Sequence, residues 1–215
     1  MAISEQQRQK KLAKKKQKRA AAVKKSPVMS TSKAKPYAGF PIYECLIPTN
    51  LFIDGIGELV VTRRLPNGYI AMSAFVIDVF CLGVKDAMFR VLPEGDYVQG
   101  IRARMSEVNG RSFEALTPGC AKKLLDGLVD YAKGLGFAPH ADYNNAKDLL
   151  AAPDADEACP VQYVYGKDGK PFYMNGPYES PAAIQRIIRT LTESCGEGGF
   201  DTLVGLSEGD DYDDD

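Results

Sequence analysis

The sequence predicts an α+β protein, a mixed sheet built from two β-hairpins with packed helices, flanked by disordered tails. Three observations predict this. The turn Leu65-Pro66-Asn67-Gly68 separates two runs rich in β-branched and aromatic residues, 58–64 and 69–80, and Asn-Gly can supply the positive φ angles of tight hairpin turns. Thr117-Pro118 and Ser180-Pro181 each place a capping hydroxyl before a proline at the first helical position, and apolar residues spaced by three and four follow both. The two ends are charge runs too poor in large apolar side chains to offset the entropy of ordering them.

The formal charge of −1 over 215 residues hides a segregation. Of the 27 lysines and arginines, 12 lie in residues 1–35 against the single acid Glu5, so this segment carries +11 and the remainder −12. The tail 207–215 holds six acids in nine residues. We therefore read three parts: a basic disordered arm (1–35), a single α+β domain (36–206) and an acidic disordered tail (207–215).

The arm's cations Lys10, Lys11, Lys14, Lys15, Lys16, Lys18, Arg19, Lys24 and Lys25 are candidate phosphate contacts. Each one that reaches a phosphate releases counterions and adds affinity without regard to base sequence. No aromatic residue is interleaved to stack on bases, so a solubilising tail, or one that folds back on the acidic body, is the alternative. The five cysteines are widely spaced, with no CxxC pair and one histidine in the chain, a pattern of core thiols in a reducing cytoplasm and not of a zinc site. Neither a secretory h-region nor an apolar run of membrane-spanning length occurs, so the chain is expected to be cytoplasmic and free of membrane contact.

Within the domain, Pro41–Ile47 is expected as a short strand, and Asp54-Gly55 with Gly57 punctuates a bend before the hairpin. The second hairpin arm is apolar on both faces at Phe75, Val76 and Ile77, which predicts a central strand covered on two sides. Gly83 then leads into a short helix or another strand, and a helix is possible over 97–108. Ala121, Leu124, Leu125, Leu128, Ala132 and Leu135 share one helical face, and Gly136 ends that helix. A brief helix over 144–150 and an exposed acidic linker over 151–158 follow. Residues 161–165 and 171–174 around Gly166-Lys167-Asp168-Gly169-Lys170 read as the second hairpin. Ile184, Ile187, Ile188, Leu191 and Cys195 form the face of the last helix, and 200–206 is an edge strand.

Two clusters could carry chemistry. In IDVFCLGVKD, 77–86, three charges interrupt an apolar run, where an unpaired charge is costly. Asp78, Lys85 and Asp86 could converge on a ligand beyond the strand end, with Cys81 a nucleophile if Lys85 lowered its pKa. Alternatively they form a buried ion pair or a hydrogen-bonded turn with Cys81 as core filling. In PHADY, 139–143, His140 beside Asp142 has the composition of a general base with an orienting carboxylate, or else the histidine serves the loop backbone. No Walker loop, GxGxxG or metal-ligand spacing occurs, so no cofactor can be named and no metal site is expected.

IDVFCLGVKD, YAKGLGF with PHADY, and YGKDGKPFY occur in that order, and together they resemble an uncharacterised group of bacterial proteins, some of which end in a cysteine-rich SEC-C zinc motif. The resemblance covers roughly 41–175. It implies a shared fold and brings no activity, and the acidic end of this chain departs from the zinc-bearing members. The expected function is binding, to RNA, the ribosome or DNA through the arm. The alternatives are a hydrolase or nuclease using Asp78, Lys85, Asp86, His140 and Asp142, and a protein-interaction module whose oppositely charged tails regulate each other.

Overall fold

A computed structural model describes residues 33–107 and 112–205 of the chain, all within the unit that runs from Ser32 to Asp215. The arm, apart from its last three residues, and the tail 207–215 lie outside the described residues. At the inner end of the arm Ala34 is buried, and its N–H donates to Asn145 Oδ1 at 3.1 Å.

Five strands form one sheet: β1 (Ile42–Pro48), β2 (Ile56–Arg64), β3 (Tyr69–Asp78), β4 (Gly83–Pro93) and β5 (Phe113–Ala115). Their order is β4-β3-β2-β1-β5. Every neighbouring pair is antiparallel, so α+β holds, while the sheet is a meander with an added edge strand and not a mixed one. The expected β2–β3 hairpin is present. Leu65 N–H donates to Tyr69 C=O at 2.8 Å, and of the turn residues only Gly68 has a positive φ, 74°. This is a three-residue loop closed by a left-handed glycine, and Asn67 needs no unusual conformation.

Both faces of the central strands are covered, for an identifiable reason. Leu59, Val61, Phe75 and Ile77 join the main core on one face. Opposite them it holds Leu124, Leu125 and Leu128 of helix α3 (Pro118–Gly134), together with Leu149 and Leu150. On the other face Val60, Ile70 and Met72 meet Tyr97. That tyrosine belongs to a helical stretch, α2, made of Glu94–Asp96, a π turn at Tyr97–Arg102 and Ala103–Glu107. A four-residue helix, α1 (Leu51–Asp54), joins β1 to β2.

Thr117 caps α3 as expected, accepting from the Cys120 N–H at 3.2 Å. All six apolar positions named for this face are buried, and Gly136 adopts a φ of 91° just beyond the helix. Helix α4 (Tyr143–Ala146) and a 3-10 turn at Lys147–Leu150 supply the next cover. Ser180 caps helix α5 (Pro181–Cys195), and its apolar face packs with Cys81, Leu135 and Tyr173 in a satellite cluster.

Three expectations are corrected. Residues 161–165 form no strand, so the second hairpin is absent. Instead β6 (Phe172–Met174) pairs in parallel with β7 (Asp201–Leu203) as a separate two-stranded sheet. In this stretch Tyr163 and Tyr165 turn toward α3, where their hydroxyls donate to Cys120 C=O and Leu124 C=O. The acidic stretch 151–158 is no loose linker, because Ala155 is buried and Asp154 pairs with the buried Arg63. Finally, Cys120 and Cys159 form a disulfide across 39 residues, so two of the five cysteines are not free thiols.

Candidate functional site

The β3–β4 turn is where the chemistry-bearing motifs meet. Gly166 N–H donates to Val79 C=O at 2.9 Å, Phe172 N–H to Phe80 C=O at 3.2 Å, and His140 N–H to Val84 C=O at 3.0 Å. Tyr131 Oη adds a bond to the Phe80 carbonyl at 3.0 Å, and the Phe80 and Phe172 rings meet edge to face. Gly83 makes the junction possible. It has a φ of +73°, and a Cβ there would stand 2.5 Å from the Ala132 Cβ of α3.

Asp78 explains the turn's shape. Its Oδ1 accepts from the N–H groups of Phe80 and Cys81 at 3.0 and 2.9 Å. Burial pushes its pKa up, opposed by these backbone bonds, a third from Leu82, and the charge of Lys85. A carboxylate enclosed by the amides of its own turn is a local staple.

Lys85 leaves the ladder. Val76 pairs with Asp86 and Ile77 with Val84, so Lys85 is the extra residue of a bulge and its side chain is re-aimed. Its Nζ lies 2.8 Å from Glu179 Oε1, and Tyr173 Oη donates to the other Glu179 oxygen. Partial burial would raise the Glu179 pKa, but the bonds from Lys85 and Tyr173 outweigh it and hold the carboxyl below its usual range. Cys81 is fully buried, and its pKa is driven up by that burial and by the charge of Asp78, with Lys85 opposing. A thiol in that state is core filling and not a nucleophile.

Asp86, His140 and Asp142 do come together. His140 Nδ1 lies 3.7 Å from Asp86 Oδ1 and 4.0 Å from Asp142 Oδ2. It also accepts from the Asp142 N–H at 3.3 Å, which in the neutral ring leaves the proton on Nε2. Both carboxylates are largely exposed. The sequence-level set thus divides into a buried group, Asp78 with Lys85 joined by Glu179 and Tyr173, and a surface triad around His140. With Nδ1 accepting the Asp142 N–H and Nε2 carrying the proton, the neutral ring can take a proton from a water only if the Asp142 bond opens, and the geometry offers no nucleophile and no enclosing cleft.

Compared with known proteins, the chain matches no family model, no curated protein and no solved structure. Its site must therefore be judged from its own side chains. Among the described residues no group of three or more histidines, cysteines and carboxylates is placed to hold a metal ion, and no helix is long and apolar enough to cross a membrane. Among the described residues, the residues of neither cluster line either of two concavities. One, of about 250 Å³, lies beside Lys122, Asp126 and Lys147. The other, of about 940 Å³, opens between β5 and residues 161–164.

Sequence reasoning missed Glu179, Tyr173 and Arg63. Arg63 is 1 % exposed, donates to Phe40 C=O and Leu149 C=O, and forms a two-pronged pair with Asp154. One signal was available for it: an arginine in a strand with apolar Val61 and Leu65 on its own face has to find a partner if that face is buried.

Proposed function

We propose that the chain is a nucleic-acid-binding protein, associated with RNA or the ribosome, whose basic arm supplies the affinity. The observation that carries this reading is the charge segregation, +11 in residues 1–35 against −12 in the remainder. A segment with that density of lysine and hardly any large apolar side chain has phosphate as its natural partner. The body supports the reading by contrast, since Asp78, Lys85 and Cys81 are engaged in holding a turn together.

Full-length protein and a version beginning at Ser32 are compared for binding to labelled total RNA and duplex DNA across a salt series. The cut stops before Ala34 because that residue belongs to the core. Steep salt dependence in the full chain and loss of binding in the shorter one are expected. In the full chain, Lys14, Lys15 and Lys16 changed together to Gln should flatten the logarithmic salt slope on single strands by about 2, at roughly 0.7 per phosphate contact. Equal binding by both versions overturns the proposal. The approach of Asp86 and Asp142 to His140 favours a second reading, a hydrolase or nuclease. Nucleic acid recovered intact from these incubations would sink the nuclease form of it, whereas cleavage abolished by His140→Ala would establish it.

A further inference from the structure

The 940 Å³ groove lies between two lengths of chain that, among the described residues, both lack a ladder partner on the side facing it. The first is β5, at the edge of the sheet. Thr49 N–H donates to Ser112 C=O and Leu116 N–H to Cys45 C=O, which marks residues 112, 114 and 116 as bonded to β1. By antiparallel alternation the N–H and C=O groups of Phe113 and Ala115 then point outward.

The second length is 161–164. The Tyr163 and Tyr165 hydroxyls reach carbonyls four residues apart on α3. That is a rise of about 6 Å along a helix, close to the roughly 6.7 Å covered by two residues of extended chain. This segment therefore runs extended along α3. Among the described residues, no backbone hydrogen bond engages it before Gly166.

The groove is apolar and open. Val164 is 67 % exposed, Val161 43 % and Phe52 38 %, and the Phe52 ring stacks on Tyr163 with centroids 5.8 Å apart. The charged side chains lining it are Glu114 and Asp168, and no lysine or arginine is among its lining residues. An exposed sheet edge facing a second unpaired extended segment is unusual, because edges of this kind invite another strand. We infer that this groove is a docking site for an extended peptide of a partner protein, which adds as a strand to β5. The peptide would carry β-branched or aromatic side chains at alternate positions for the apolar walls and a lysine or arginine for Glu114 and Asp168. This site is independent of the arm and of the proposed nucleic-acid binding.

The probe is a displayed library of random linear octapeptides, selected on the full-length protein. Three full-length variants accompany it. Ala115→Pro removes only an outward-facing N–H from an edge strand, a position where proline is tolerated. Val164→Glu charges an exposed wall, and Glu114→Lys reverses the lining charge. The expected result is enrichment of alternating, lysine- or arginine-bearing peptides whose affinity drops at least tenfold with Ala115→Pro and with Val164→Glu. Glu114→Lys should shift selection toward acidic peptides. Unchanged circular dichroism and urea midpoints of all three would show that they are folded, and unchanged RNA binding would keep this result separate from the arm's role. No enrichment, enriched peptides indifferent to Ala115→Pro, or a dimer that these substitutions dissociate would each overturn the inference, the last by making a second copy the occupant.

Discussion

Residues 42–93 and residues 136–205 use different means to hold a chain in place. In the first region β2 and β3 pair through nine consecutive residues, and β3 is paired on its other side by β4, so the backbone satisfies itself locally. In the second region the strands are three residues long. Their order comes from individual long-range bonds instead: Arg63 to Leu149 and Asp154, Ser73 Oγ to Ala146 C=O, and the tyrosines on α3. The lesson is that the sheet is a framework and the later chain is a cover attached at discrete points. A single broken attachment should loosen the cover well before it disturbs the ladder.

The largest effect is expected from the Cys120–Cys159 bridge, which ties the start of α3 to the chain entering the extended segment. Closing a loop of this length limits the unfolded ensemble, a contribution of about 4 kcal/mol in the chain-entropy description. Replacing both cysteines with serine should lower the urea midpoint accordingly. Amide exchange should quicken over 159–165 more than at Val60 to Thr62 in β2. Equal acceleration in both regions would mean that cover and framework unfold as one unit.

Asp78→Ala is next, because Asp78 stands where cover and framework meet. The substitution relieves a buried charge but strands the Phe80 and Cys81 N–H groups, and a net loss of about 2 kcal/mol is expected. Asp78→Asn, which keeps an acceptor oxygen, should recover part of it. A loss no greater than that of a typical exposed substitution would show that water takes over the carboxylate's place. Whether the Gly166 and Phe172 amides lose protection alongside Phe80 tells how far the junction depends on this one side chain.

The same contrast explains what was legible in the sequence. Signals confined to a few neighbouring residues read correctly: Gly68 in the hairpin turn, Thr117 and Ser180 as caps, and the apolar face of α3. Residues 161–165 misled because alternation specifies an extended chain with one apolar side, not what that side meets, and here it meets a helix through tyrosine hydroxyls. Arg63 with Asp154 and Cys120 with Cys159 are separated by 91 and 39 residues, and nothing local names either partner. The candidate site was legible only in part. Lys85 and Asp86 are adjacent in sequence, yet a bulge sends Lys85 to Glu179, leaving Asp86 beside His140.

The smallest expected effect is in the acid range, where the two regions should respond with opposite sign. The Arg63 guanidinium, hydrogen-bonded to Asp154, holds that carboxyl below its usual range. The stability it confers is present above the unfolded value of about 3.9 and is lost as the pH falls through the folded value. Burial raises Asp78 instead, so its folded form retains the proton longer. Stability from that group is full below about pH 3.9 and declines as the pH rises through the folded pKa. Urea midpoints measured from pH 2.5 to 7 should thus lose part of their fall below about pH 4 in Asp154→Asn, and lose an opposing decline above about pH 4 in Asp78→Asn. The Asp154 effect is modest because its side chain is 36 % exposed and water screens the pair. If Asp154→Asn leaves the acid limb unchanged, Arg63 holds the cover through the Phe40 and Leu149 carbonyls alone, and the ion pair adds position without adding stability.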